Sequence, residues 1–310
     1  MTNRAANPDS DPVPVAYQGE PGAFSEEALR AALPGDAIRP TPRSWFPDVA
    51  EAVAREETPL GLLPVENSLA GSVTDSYDLL AQGELTVVAE LIHPIRHVLM
   101  GPPGARVEGV RRILSHPVAL AQCTRFLQEG GRWEAVAVGD TAGAARQVAE
   151  DGDPEVAAIA GEAAARRYGL EALVRDIQDR PDNRTRFYLV ARRGSSTALP
   201  VSLPPATRTA VTLELAHQPG ALMGVLEPFA RRGVNLTRLE SRPAGVPWRY
   251  RFFLEFARGD TAEEAERAVS EAKGHTNWLE VLGTFPTLGD PQAGPAASTA
   301  LGTGEPGSGW

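Results

Sequence analysis

Up to Ala191 the chain alternates between two hydrophobic periods. Short apolar runs of strand length occur at Val13 to Tyr17, Leu60 to Val65, Ile113–Leu114, Ala135 to Val138, Val156 to Ala160 and Arg186 to Ala191. Between them lie stretches with helical spacing. Ser25 to Leu33 carries Ala28, Leu29 and Ala32 on one face, and Thr74 to Ala81 reads as another helix. Val118 to Gln128 places Leu120, Cys123, Thr124 and Leu127 along one stripe. This alternation predicts an α/β architecture with parallel strands, in which chemistry sits at the C-terminal ends of strands and the N-termini of helices.

Residues 193–208, with Gly194, Ser195, Ser196 and three prolines, read as an interdomain linker, and the pattern changes beyond it. Val211, Leu213 and Leu215 alternate as a half-buried strand, and Leu222, Val225, Leu226 and Phe229 share one helix face. Asn235 to Ser241 and Trp248 to Phe256 are strands. Thr261 caps an amphipathic helix running to Lys273, and Leu279, Val281 and Phe285 mark a last strand. This βαββαβ order over residues 209–286 is the α+β ferredoxin-like plan. The polar start, 1–12, and the tail at 287–310, rich in Gly, Pro, Ala, Ser and Thr, read as disordered.

Composition narrows the classes. The 310 residues carry a formal charge of −10, which repels phosphate backbones and anionic lipid, so nucleic-acid and membrane partners are not expected. Cys123 is the only cysteine, which rules out an internal disulfide or a thiolate metal cluster and fits a reducing cytoplasm. No apolar run approaches the roughly 20 residues that span a bilayer. The first residues lack the apolar core of a signal peptide. A cytoplasmic protein is expected.

Polar residues gather where predicted strands meet predicted helices. Gln18 to Ser25 joins the first strand to the first helix through Gly19 and Gly22, which permit close backbone approach to a ligand. Glu66-Asn67-Ser68 ends an apolar strand and leads to Gly71, a pattern that also fits an Asx turn. Ser115 can cap a helix on which Gln122 lies about two turns further along. Thr141 opens an Ala-rich helix, and Asn183 to Phe187 feeds the last strand. Cys123 falls on an apolar stripe and reads as core. His93 and His97 have ligand-like spacing, but Pro94 intervenes and no nearby acidic ligand is evident, so a metal site is not expected.

In this order the five segments resemble the prephenate dehydratase family, from roughly Val15 to Arg192. The most specific blocks are Gly61 to Gly71, with Glu66-Asn67-Ser68, and Asn183 to Phe187, with Thr185-Arg186-Phe187. The family's Ser-Thr-Ala turn stands here as Asp140-Thr141-Ala142. Residues 209–286 resemble an ACT domain, a small amino-acid-sensing module. Gly220, Ala221 and Leu222, with Asn235, Glu240, Ser241 and Arg242, fall in its two phenylalanine-site motifs. The resemblance implies a catalytic region at 13–192 built like a type II periplasmic binding protein. Its middle lobe would lie at about 95–174, with the cleft between the lobes.

The implied reaction turns prephenate into phenylpyruvate, expelling hydroxide from one end of the ring and carbon dioxide from the other. It calls for a donor at the departing oxygen, an anion clamp and a dry wall beside the ring. On the family pattern Thr185 is that donor, and Glu66, Asn67 and Ser68 are catalytic beside it. Ser115, Gln122 and Thr141 are neutral donors to the carboxylates, Arg186 supplies positive charge, and Phe187 and Phe24 supply apolar walls. No cofactor or metal is implied. L-phenylalanine is the implied effector, and a homodimer or homotetramer the implied assembly. The same residue types suit arogenate, the amino form of the substrate. A non-catalytic bilobal sensor is the rival from another class. A chain ending near Ser202 is expected to keep activity and lose the effector response.

Overall fold

The computed structural model describes residues 11–131, 133–195, 199, 201–258 and 262–288. Residues 1–10 and 289–310, where terminal disorder is expected, and the Thr261 cap lie outside them. The first lobe contains β1 (Val13–Gln18), α1 (Phe24–Ala32), β2 (Ile38–Arg43), α2 (Phe46–Ala54), β3 (Leu60–Asn67), β4 (Gly71–Ser72), α3 (Thr74–Leu80) and β5 (Leu85–Pro94). The second contains β6 (Val98–Gly101), β7 (Arg112–Ser115), α4 (Pro117–Ala121), α5 (Thr124–Gly130), β8 (Glu134–Ala137), α6 (Thr141–Asp151), β9 (Val156–Ala160), α7 (Glu162–Tyr168) and β10 (Glu171–Val174). The chain then returns to the first lobe as β11 (Arg184–Arg192).

Both lobes follow one plan. In the first, β1 lies between β2 and β3 and parallel to both, and β7 holds the same place between β8 and β9 in the second. Beside each parallel trio sits the strand that has just crossed from the other lobe, β11 or β6, running antiparallel. The sheets are therefore mixed, where the alternation predicts parallel strands. A crossing strand enters from the cleft, the edge at which the parallel strands end, so it must run against them. This is the bilobal arrangement the resemblance implies.

Strand β3 explains the apolar run at its start. Leu60 and Leu62 pack into the core beneath α1, and Leu63 and Val65 into the core beneath α2, all four fully buried. A strand covered on both faces needs no polar alternation. The predicted helix Val118 to Gln128 is instead two helices broken at Gln122–Cys123. Asp179, on the return segment, accepts from the N–H groups of Thr124 and Arg125, and its own N–H donates to the Gln122 carbonyl at 2.7 Å. That contact starts a new helix within the apolar stripe. Cys123 is buried there, and burial pushes its thiol up to about 12.

The third sheet has the order β13-β14-β12-β15, from β12 (Arg208–Glu214), β13 (Leu236–Pro243), β14 (Tyr250–Ala257) and β15 (Trp278–Phe285). One face is covered by α8 (Ala221–Arg231) and α9 (Ala262–Lys273), over a core that includes Val211, Leu213, Phe229 and Phe256. The other face lies on the first lobe, where Ala210, Phe253, Leu282 and Phe285 share a core with Val49, Val87, Tyr188 and Val190. The chain then re-enters the first lobe. Thr287 and Leu288, which composition assigns to the tail, form β16 and pair in parallel with Glu90 and Leu91 of β5. Among the described residues no helix is long and apolar enough to cross a membrane.

Candidate active site between the lobes

A cavity of about 560 Å³ opens between the two lobes. The β1–α1 loop, the turn between β3 and β4, the start of α4, the β8–α6 junction and β11 all contribute to its lining. Gly22 lets the lobes meet, since a Cβ there would lie 2.9 Å from the Cα of Ala164, and its φ of +91° favours glycine. Nearby Glu27 of the first lobe accepts from the Ala163 N–H at 2.9 Å.

Strand alternation sorts the Thr185-Arg186-Phe187 block. Thr185 and Phe187 line the cavity, while Arg186 points through the sheet to the other side. On β3 the register shifts, so that Thr185 faces Asn67, Arg186 faces Glu66 and Phe187 faces Pro64, with Val65 extra. This bulge brings both Pro64 and Asn67 to the cavity face.

Asn67 is the hub of a buried polar chain. Its Oδ1 accepts from the backbone N–H groups of Leu69 and Ala70 at 3.0 and 2.9 Å. Those fixed donors orient the amide and turn Nδ2 toward Thr185 Oγ1 at 3.0 Å, Asn183 Oδ1 at 2.8 Å and the Arg184 carbonyl at 3.1 Å. Gln122 Nε2 donates to Asn67 Oδ1 at 3.0 Å. Gln122 Oε1 must then accept, and it does so from Asn183 Nδ2 and His97 Nε2, both at 2.8 Å. The tautomer of His97 follows, with hydrogen on Nε2. Burial holds this imidazole below the ordinary histidine value. At the other end Thr185 receives a hydrogen bond from Asn67, which leaves its own hydroxyl hydrogen to donate.

Among the described lining residues the ionisable side chains are Asp75, Asp140, His97 and His116, with no lysine or arginine. An anion in the cleft would meet neutral donors instead. Helix α1 begins without a side-chain cap at Ala23, and its first residues, Phe24 and Ser25, line the cavity. Thr141 opens α6, where Asp140 takes the Gly143 N–H as the cap. Phe24 meets His97 edge-on at 5.4 Å and, with Phe187, supplies apolar wall.

Four expected site residues lie elsewhere. Arg186 is enclosed by Glu66, Glu90 and Glu255. Burial lowers its basicity, and Glu255 and Glu90 more than restore it. It is thus spent on the face behind the cleft and is not the anion clamp. Glu66 shares that face, bound by Arg186 and Arg238. Ser68 is tied to the Asp182 carbonyl and the Arg184 N–H. Ser115 is fully buried and donates to the Ile159 carbonyl, while His116 takes the helix-capping place through Nδ1. The cavity also includes Gln18 and Ser25, the two ends of the first strand-to-helix junction, and Trp45, Ser72 and Thr74, which sequence motifs did not single out. Gln18 and Thr74 do fall at the strand-end and helix-start positions that the fold class marks.

In the third sheet, Ala221 and Leu222 border a pocket of about 180 Å³ with Leu215, Trp248, Tyr250 and Phe252. Gly220 lies at the adjoining opening. Four expected effector residues are not at this pocket. Glu240 and Arg242 alternate onto the face that meets the first lobe, bonding Ser72 and Asp78. Ser241 is exposed on the opposite face, and the Asn235 carbonyl is bonded to the Ala257 N–H.

Comparison with known proteins fixes the family. The family model for prephenate dehydratase matches residues 15–195, and the model for the ACT domain matches 209–274. The chain is 39% identical over 287 residues to arogenate dehydratase/prephenate dehydratase 2 of Arabidopsis thaliana, covering 88% of this chain and 73% of that one. It is 38% identical over 276 residues to the bifunctional N-acyl-homoserine lactone acylase/prephenate dehydratase of Komagataeibacter europaeus, covering 88% and 95%. The solved structure of prephenate dehydratase from Arthrobacter aurescens in complex with L-Phe superposes with a TM-score of 0.79 at 33% identity, covering 88% of this chain and 90% of that one. The chain therefore belongs to the prephenate dehydratase family of hydro-lyases, with a C-terminal ACT domain.

Proposed function

We propose that the protein converts prephenate to phenylpyruvate, with loss of water and carbon dioxide, in the cleft between its lobes. One observation carries this reading. The Thr185 hydroxyl is oriented by Asn67 so that its hydrogen is left for an acceptor in the cavity. An alcohol is a weak acid, so Thr185 serves as a hydrogen-bond donor that strengthens as the departing oxygen gains charge. Phe24 and Phe187 keep water from the ring, which favours dispersal of the carboxylate charge as carbon dioxide leaves. In this reading Gln122, Thr141 and the α1 N-terminus hold the carboxylates, a role supported by their lining the cavity.

Arogenate is the second reading. Several relatives bear the name arogenate dehydratase, and the cleft offers Asp75 and Asp140 to an ammonium group with no cationic side chain to repel it. Purified protein assayed with each substrate, following the aromatic product, separates the two. Phenylpyruvate from prephenate supports the first, faster turnover of arogenate to phenylalanine supports the second, and no product from either rejects both.

The ACT domain is the regulatory site in this reading. The pocket at Ala221, Leu222, Trp248, Tyr250 and Phe252 suits an aromatic side chain, and the Arthrobacter aurescens relative is described in complex with L-Phe. Calorimetry with L-phenylalanine, paired with initial rates, tests it. Neither heat of binding nor a change in rate would remove the effector assignment and leave the dehydratase reading in place.

A further inference from the structure

Strands β3 and β4 close the turn that presents Asn67, with Asn67 opposite Gly71 and Glu66 opposite Ser72. Inside the turn, the Leu69 and Ala70 N–H groups bind Asn67 Oδ1, so the turn's shape decides where Asn67 Nδ2 points. The base of the turn is held from outside the catalytic region. Arg238, on β13 of the ACT domain, donates from Nη1 to Glu66 Oε2 at 2.6 Å and from Nη2 to Ser72 Oγ at 2.7 Å. One guanidinium thus ties both members of the cross-strand pair beneath the turn. Ser72 donates in turn to Glu240 Oε2 at 2.6 Å, and Glu66 also takes Arg186 Nη1 at 2.9 Å. The Arg238 side chain is only 7% exposed and lies over the Tyr77 ring, 4.8 Å from its centroid. A stacked, buried fork of this kind fixes geometry in a way that an exposed ion pair does not.

We propose that Arg238, supplied by the ACT domain, is a positioning residue of the catalytic cleft: it clamps the stem of the 67–71 turn and so sets Asn67 against Thr185. It touches no reacting atom. Its contribution is to hold one end of the chain that orients the Thr185 hydroxyl. Lysine cannot reproduce it, because a single ammonium is a point charge and not a fork. The inference rests on the dehydratase reading for its kinetic consequence and on the geometry alone for its structural one. It also makes the catalytic geometry depend directly on where the ACT sheet sits, because Arg238 and Glu240 are both carried by β13.

The test uses the full-length chain with Arg238→Met, Arg238→Lys, Ser72→Ala and the Arg238→Met/Ser72→Ala pair. In Arg238→Met, kcat should fall about tenfold while KM changes less than about threefold. Arg238→Lys should recover only part of the loss. The double variant should be less impaired than the product of its single effects, because both break the same link. Amide exchange at residues 67–71 should accelerate in Arg238→Met. A kcat within about twofold of wild type, effects that multiply in the double variant, or unchanged exchange at the turn would each overturn the proposal. A wild-type chain that yields no product from either substrate rejects the dehydratase reading, and the exchange measurement then decides the clamp by itself.

Discussion

Thr185 is the residue on which the proposed chemistry turns. Thr185→Val keeps the shape and removes the donor, so kcat should fall on the order of a hundredfold with little change in KM. Steady-state kinetics showing near-normal turnover in that variant would remove Thr185 from the mechanism. A second expectation concerns His97 and His116, both held by burial below the ordinary histidine value. As pH falls through about 6.5, the unfolded chain takes up protons that the folded chain refuses, so stability drops on the acid side and is retained above it. Urea unfolding at several pH values measures this, and His97→Gln should flatten the slope; an unchanged slope would mean that His97 does not drive it. At this scale the sequence was only half legible. Thr185 and Phe187 are two apart and Arg186 lies between them, so strand alternation alone could have turned Arg186 away from the cleft. The same rule applied to Glu240, Ser241 and Arg242 separates Ser241 from its neighbours. Glu66 and Asn67 alternate in the same way, whereas Pro64 was harder, because the extra residue at Val65 brings it onto the face of Asn67 and a bulge leaves no mark in the pattern of apolar residues.

Local patterning fixed the elements that make their own contacts and missed those made by distant chain. Strand Val156–Ala160 was read in full, because five apolar residues in a row, bounded by Pro154 and Gly161, suit a short strand covered on both faces. Strand Ile38–Arg43 was not read, since its prolines and arginines give no period of two. The break between α4 and α5 depends on Asp179, more than fifty residues away along the chain, and the apolar stripe through Cys123 runs across it without interruption. Asp179→Ala should cost about 1 kcal/mol, as for other lost helix caps, and should weaken substrate binding by loosening Gln122. Asp179→Asn should preserve most of both properties. Denaturant midpoints and KM for the two variants check this. Equal losses would assign the effect to charge and not to capping.

The three sheets form one body joined by a shared core and by charges buried between the domains. Glu90 and Glu255 are almost wholly buried and depend on Arg186, which lies between the catalytic sheet and the ACT sheet. Composition reveals the linker and the change of pattern, but not that the second unit lies face-down on the first. This docking revises the expectation for a chain ending near Ser202. Removing the ACT domain would expose Val49, Val87, Tyr188 and Val190 and would strip β16 from the edge of the first sheet. Such a truncation should aggregate or melt well below the full-length protein and lose activity with its fold. A soluble truncation with normal turnover would show that the shared core is dispensable.

Strand β16 has a further consequence. The chain leaves the first lobe after β11 and comes back to it at Thr287, so the ACT domain is anchored at both ends and the linker is not what holds it. A cut within residues 193–208 should therefore leave two pieces that remain together. Expressed as separate fragments, they should assemble by strand addition and burial of the common core. Activity should then depend on the product of their concentrations, as it does for any heterodimer. The dissociation constant of that pair would measure directly the free energy with which the regulatory half grips the catalytic half, and its change on adding an amino acid would report regulation as a shift in that grip.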